Sequence, residues 1–90
     1  MATVKFTSAL QRFFPHLAET QVTAKDVKHL LNEIEVQHPG ISSYLVDENG
    51  SLRQHVNIFL QGELIQDRKT LTDKVGEGDE VLIFQALSGG

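Results

Sequence analysis

Ninety residues with 8 Lys and Arg against 12 Asp and Glu, 40% hydrophobic and 22% charged, describe one small acidic globular unit. A chain this short encloses only about 60–65% of its unfolded surface, so a deep, water-excluded active site is hard to build and a stand-alone enzyme is disfavoured. The net charge of −4 repels phosphate backbones and anionic lipid, which argues against nucleic acid and membrane surfaces as partners.

No apolar run approaches the roughly 20 residues of a bilayer span, and Met1-Ala2-Thr3-Val4-Lys5 lacks the apolar stretch of a signal peptide. A soluble, cytoplasmic protein is expected. The absence of cysteine removes disulfides, thiolate nucleophiles and zinc sites that need sulfur.

Thr3 to Thr7 alternates, with Val4 and Phe6 on one side and Thr3, Lys5 and Thr7 on the other, which predicts a first, half-buried strand. After Phe13-Phe14-Pro15-His16 a second extended stretch, Ala18 to Val22, is placed to return as the other arm of a wide hairpin. Thr23 reads as a helix N-cap with Asp26 three residues on. Val27, Leu30, Leu31 and Ile34 fall at i, i+3, i+4 and i+7, the stripe of an amphipathic helix that Pro39-Gly40 ends. Ile41 to Val46, followed by Asp47-Glu48-Asn49-Gly50, predicts a short hairpin or a decorated loop. Val56 to Leu60 reads as a strand entering a turn at Gln61-Gly62-Glu63, and Val81-Leu82-Ile83-Phe84 as the last strand. Strand, strand, helix, strand, short elements, strand gives an α+β roll with a mixed sheet and one main helix packed on one face. If the last strand lies beside the first they run parallel, with the helix in the long crossover.

Side-chain chemistry is sparse. His16, His29, His38 and His55 show no ligand spacing, so no metal site is expected and solvated surface histidines are the simpler reading. The carboxylates form no acid/base pair, and no phosphate loop or nucleophile elbow is present. The end of the chain, Gln85-Ala86-Leu87-Ser88-Gly89-Gly90, is more informative. At about 7% glycine usage two terminal glycines arise by chance in roughly one chain in 200, so the pair also admits a frayed terminus or a cloning remnant. Without Cβ atoms the last residues can thread a narrow channel and present a free α-carboxylate to another protein.

Val56-Asn57-Ile58-Phe59-Leu60-Gln61-Gly62, the segment Val75-Gly76-Glu77-Gly78-Asp79-Glu80-Val81-Leu82-Ile83-Phe84 and the terminal Ser88-Gly89-Gly90 together resemble the MoaD/ThiS-type sulfur carriers. The resemblance implies a β-grasp, ubiquitin-like fold over residues 1–86 and a flexible Gly-Gly tail at 87–90. Gly40 to Leu45 and Leu52 to Ile58 look most like the carriers serving cysteine or homocysteine synthesis. The Pro-Pro common before the tail of molybdopterin synthase small subunits is here Gln85-Ala86, which lowers that alternative.

What the resemblance implies is a cosubstrate that binds no cofactor. An ATP-using, E1-like adenylyltransferase activates the Gly90 carboxylate, which becomes a thiocarboxylate, while Ser88, Gly89 and Gly90 thread into the partner. A sulfur-accepting biosynthetic enzyme, with a PLP-dependent one among the candidates, takes the sulfide, and a processing metalloprotease is implied if the chain is made longer. A modifier joined to target lysines, or a plain interaction module, are the other classes. Alternation assigns Val4, Phe6, Ile58, Val81 and Ile83 to the helix side, leaving Phe59, Leu82 and Phe84, with Leu87, as an apolar partner-binding patch near the tail. The competing expectation is that loops such as Phe13-Phe14 cover this patch.

Overall fold

The computed structural model describes residues 1–15 and 17–85. In chain order it contains β1 (Ala2–Phe6), α1 (Ser8–Gln11), β2 (Thr20–Val22), α2 (Val27–Gln37), α3 (Ser42–Leu45), β3 (Val56–Leu60), β4 (Glu63–Leu64) and β5 (Glu80–Gln85). The strands form one sheet in the order β2-β1-β5-β3-β4. β1 and β5 run parallel with Val4 opposite Val81 and Phe6 opposite Ile83, and every other pairing is antiparallel. The mixed sheet, the parallel first and last strands and the single main helix are those expected from the hydrophobic pattern.

The helix forms because its apolar residues share one stripe, and Val27, Leu30, Leu31 and Ile34 are all buried. They join Val4, Val56, Ile58, Val81 and Ile83 in one cluster, with Phe6 and Leu60 packed at its margin. The helix start differs from expectation: Asp26, not Thr23, is the N-cap, and its carboxylate accepts from the backbone N–H and the imidazole Nδ1 of His29 at 2.8 and 2.7 Å. The backbone bond from His29, then its imidazole, hold the Asp26 carboxyl below its ordinary range. The next orphan amides are taken by a distant loop. Val27 N–H donates to the Asp73 carbonyl and Lys28 N–H to the Leu71 carbonyl, both at 3.0 Å.

Ile41 to Val46 forms no hairpin strand. Ser42–Leu45 is a helical turn whose flanking Ile41 and Leu45 are buried, a spacing of four that packs both against the core. Glu35 fastens it to α2 by accepting from the backbone N–H of Gly40 and of Ser42 at 2.7 and 2.9 Å, bonds that lower the Glu35 titration. The second strand is shorter than expected, beginning at Thr20 rather than Ala18. His29 and His55 are exposed and His38 half-buried, whereas His16 lies outside the described residues.

Candidate partner-binding face and tail root

One face of the sheet carries α2 and the core. The register places the residues of the other face. Leu64 pairs with Phe59, Phe59 with Leu82, and Leu82 with Lys5, so these four form a row across β4, β3, β5 and β1. Asn57 and Phe84 form the next row towards the end of β5. Phe59 and Leu82 are half-buried by their neighbours, while Phe84 is 38% and Leu64 55% exposed. The predicted patch of Phe59, Leu82 and Phe84 is therefore one contiguous surface. Phe13 and Phe14 do not cover it: their rings stack on Tyr44, with centroids 5.1 and 5.3 Å away, and border a groove with Gln37, His38 and Pro39.

Two members of this face escaped the sequence reading. Leu64 was legible in principle, because a two-residue turn at Gln61-Gly62 places it opposite Phe59. Arg68 carried no such signal. Its guanidinium reaches back from a loop, donating through Nη1 to the Asn57 side-chain oxygen at 2.9 Å and through Nη2 to the Arg53 carbonyl at 2.8 Å, which sets a cation beside the last row before the chain leaves the sheet.

Away from that end, a shallow depression of about 300 Å³ opens among Lys5, Phe59, Gly62, Glu80 and Leu82. Lys5 Nζ stands 4.0 Å from the Glu80 carboxylate with both side chains well exposed, an ion pair too solvated to contribute much to stability. The rim is held by Gln61. Its backbone N–H donates to the Glu80 carbonyl at 2.9 Å and its side-chain oxygen accepts from the Glu80 N–H at 2.6 Å. Gln61 and Gly62 both have positive φ, 52° and 84°, the geometry of a tight primed turn, and these two bonds hold a non-glycine residue in it.

The face can bind a protein surface that is apolar at its centre and charged at its edge. Leu87, Ser88, Gly89 and Gly90, the remaining predicted site residues, lie outside the described residues together with Ala86.

This chain is 32% identical over 63 residues to the sulfur carrier protein CysO of Mycobacterium tuberculosis, an alignment covering 68% of each. It is 27% identical over 64 residues to small archaeal modifier protein 3 of Haloferax volcanii, covering 71% of this chain and 68% of that one. Its fold superposes on a chain of the Amycolatopsis orientalis BexX/CysO complex with a TM-score of 0.85 and 24% identity, covering all of both chains. With the ThiS family model matching residues 4–90, the open-faced sheet and the chain running on from its central strand are those of a β-grasp protein that belongs to the ThiS family.

Proposed function

We propose that this protein is a ubiquitin-like sulfur carrier, a cosubstrate rather than an enzyme. The observation that carries the reading is the family match running through residue 90, so that Ser88-Gly89-Gly90 falls inside it. The similarity to proteins named sulfur carrier supports the same role. In the proposed cycle a partner enzyme binds the apolar sheet face, and the Gly90 carboxylate oxygen attacks the α-phosphorus of ATP, expelling pyrophosphate. A hydrosulfide-level donor then displaces AMP to leave a thiocarboxylate. Its sulfur, a better nucleophile than carboxylate oxygen, attacks an electrophilic carbon in an accepting enzyme and expels the leaving group there. Hydrolysis of the acyl–sulfur bond releases the new thiol and returns the Gly90 carboxylate. Cysteine or homocysteine synthesis is the favoured destination.

Intact-protein mass spectrometry on untagged chain from its own host tests this. A species heavier by the difference between sulfur and oxygen, localised to Gly90, is expected. Gly90→Ala is expected to abolish that species or severely reduce it while the thermal midpoint stays unchanged. Equal loading of Gly90→Ala by the cognate activating enzyme would sink the terminal-carboxylate chemistry. A second reading, conjugation to target lysines, is favoured by the likeness to a protein named small archaeal modifier, and isopeptide-linked adducts in the native host would select it.

A further inference from the structure

Arg68 is a cation that the fold holds in place without a counterion. Leu52 N–H donates to its carbonyl at 2.8 Å, and the guanidinium lies back on the sheet, bonded through Nη1 to the Asn57 side-chain oxygen and through Nη2 to the Arg53 carbonyl. Both acceptors are neutral. A guanidinium carries five N–H groups, so three have no acceptor among the described residues, and Arg68 is half-buried. The contacts between cations and carboxylates among the described residues join Met1 to Glu77, Lys5 to Glu80 and His29 to Asp26, and none reaches Arg68. The adjacent Asp67 carboxylate is taken by the hydroxyls of Thr70 and Thr72 and by loop amides.

Its place in the sheet gives this cation a use. Asn57 pairs with Phe84 and Val56 with Gln85, so Arg68 stands at the edge of the open face beside the row of Phe84, which is 38% exposed, and close to where the chain runs on. Glu77 and Glu80, which answer Met1 and Lys5, belong to the opposite end of β5. Five residues separate Gln85 from Gly90, at most roughly 17 Å of chain, so any protein with Gly90 at its reacting centre comes down beside Arg68. A surface that closes there strips water from the guanidinium, and a carboxylate is the group that compensates, matching the fork with charge-assisted hydrogen bonds. Because Asn57 and the Arg53 carbonyl already hold the side chain, little rotamer freedom is lost on pairing. The other anion of the proposed cycle, the nucleotide phosphate, reacts at Gly90. A tail threaded into a channel is nearly extended, which keeps that phosphate the length of the tail away from Arg68.

Resting on the sulfur-carrier reading, we propose that Arg68 is the charged anchor of the open face, pairing with a carboxylate side chain of the enzyme that takes up Gly90 and so aligning the carrier with the channel its tail enters. The activating and the accepting enzyme take up the same terminus past the same cation, so each is expected to present such a carboxylate.

Asn57→Asp decides the matter. It puts a carboxylate, isosteric with the amide it replaces, at the 2.9 Å contact, so Arg68 is neutralised without being removed. ATP–pyrophosphate exchange by the activating enzyme of the native host is measured on wild type, Asn57→Asp, Arg68→Gln and Lys28→Gln, together with each thermal midpoint. KM for the carrier is expected to rise severalfold in Asn57→Asp and Arg68→Gln with kcat nearly unchanged, while Asn57→Asp keeps or raises the midpoint. Added NaCl is expected to raise the wild-type KM more steeply than that of either variant. If Arg68 only braces the loop, the stronger pair in Asn57→Asp leaves KM unchanged, and that result overturns the proposal even where Arg68→Gln fails to fold. Lys28 is exposed on α2, behind the sheet, and Lys28→Gln changes the net charge by the same amount. An equal rise in its KM traces the effect to overall charge and also overturns the proposal. No exchange with wild type removes the adenylation reading, and the anchor with it.

Discussion

Phe59 sits at the centre of the open face, between Leu64 and Leu82, and outside the core cluster. An aspartate there is expected to leave the thermal midpoint within a few degrees and to slow activation by the partner at least about tenfold, the effect of losing a central anchor. A large fall in the midpoint would place Phe59 in the core instead. Leu71 presents the opposite balance. It holds φ at 58°, costly for a leucine, yet it is buried and its carbonyl caps α2. Leu71→Gly relieves about 1 kcal/mol of backbone strain and forfeits roughly 2–5 kcal/mol of packing, so net destabilisation is expected in chemical denaturation. Asp26→Ala removes the N-cap and is expected to cost about 1 kcal/mol by the same measurement. Asp26 was visible in the sequence but assigned a supporting position, because Thr23 is an equally good cap by residue type and only the path of the chain decides which one meets the helix amides.

At the level of elements, the segment between β4 and β5 is ordered by carboxylates rather than by burial alone. Asp67 accepts from the hydroxyls of Thr70 and Thr72 and from the amides of Lys69 and Thr70, while Asp73 accepts from the amides of Gln66 and Asp67. The Thr70 hydroxyl, then its amide, and the Thr72 hydroxyl push the Asp67 titration far below the ordinary carboxylate range. Asp26 and Glu35 shift the same way. A carboxylate that titrates lower in the folded state adds stability that is present above the unfolded value and lost as pH falls beneath it. The thermal midpoint is therefore expected to be flat from about pH 8 to 5 and to fall below about pH 4, with Asp67→Asn reducing that acid dependence. This segment was opaque in the sequence, since nothing in the spacing of Asp67, Thr70 and Thr72 announces that they converge. The helical turn at Ser42–Leu45 was more legible than it was read. Ile41 and Leu45 already stood four apart, but a short apolar run fits a strand and a helix equally well.

For the molecule as a whole, the parallel pairing of β1 and β5 was legible on one condition, that the last strand lies beside the first with the helix in the crossover, whereas the full order β2-β1-β5-β3-β4 needed the register of the pairs. The open face was legible through strand alternation. Leu64 and Arg68 were not found because one needs the hairpin register and the other a loop that folds back on the sheet. β5 lies between β1 and β3, bonded on both sides. A partner that grips the chain beyond Gln85 pulls along the axis of this strand, so the load falls in shear on two hydrogen-bonded ladders at once instead of peeling one bond at a time. Amides of Leu82 to Phe84 are accordingly expected to exchange only at the global unfolding rate, far more slowly than those of Glu48 to Gly50. The strand from which the chain runs on is thus anchored along both edges, the footing that the proposed carrier cycle requires if the end is to be drawn into a partner without unravelling the domain that bears it.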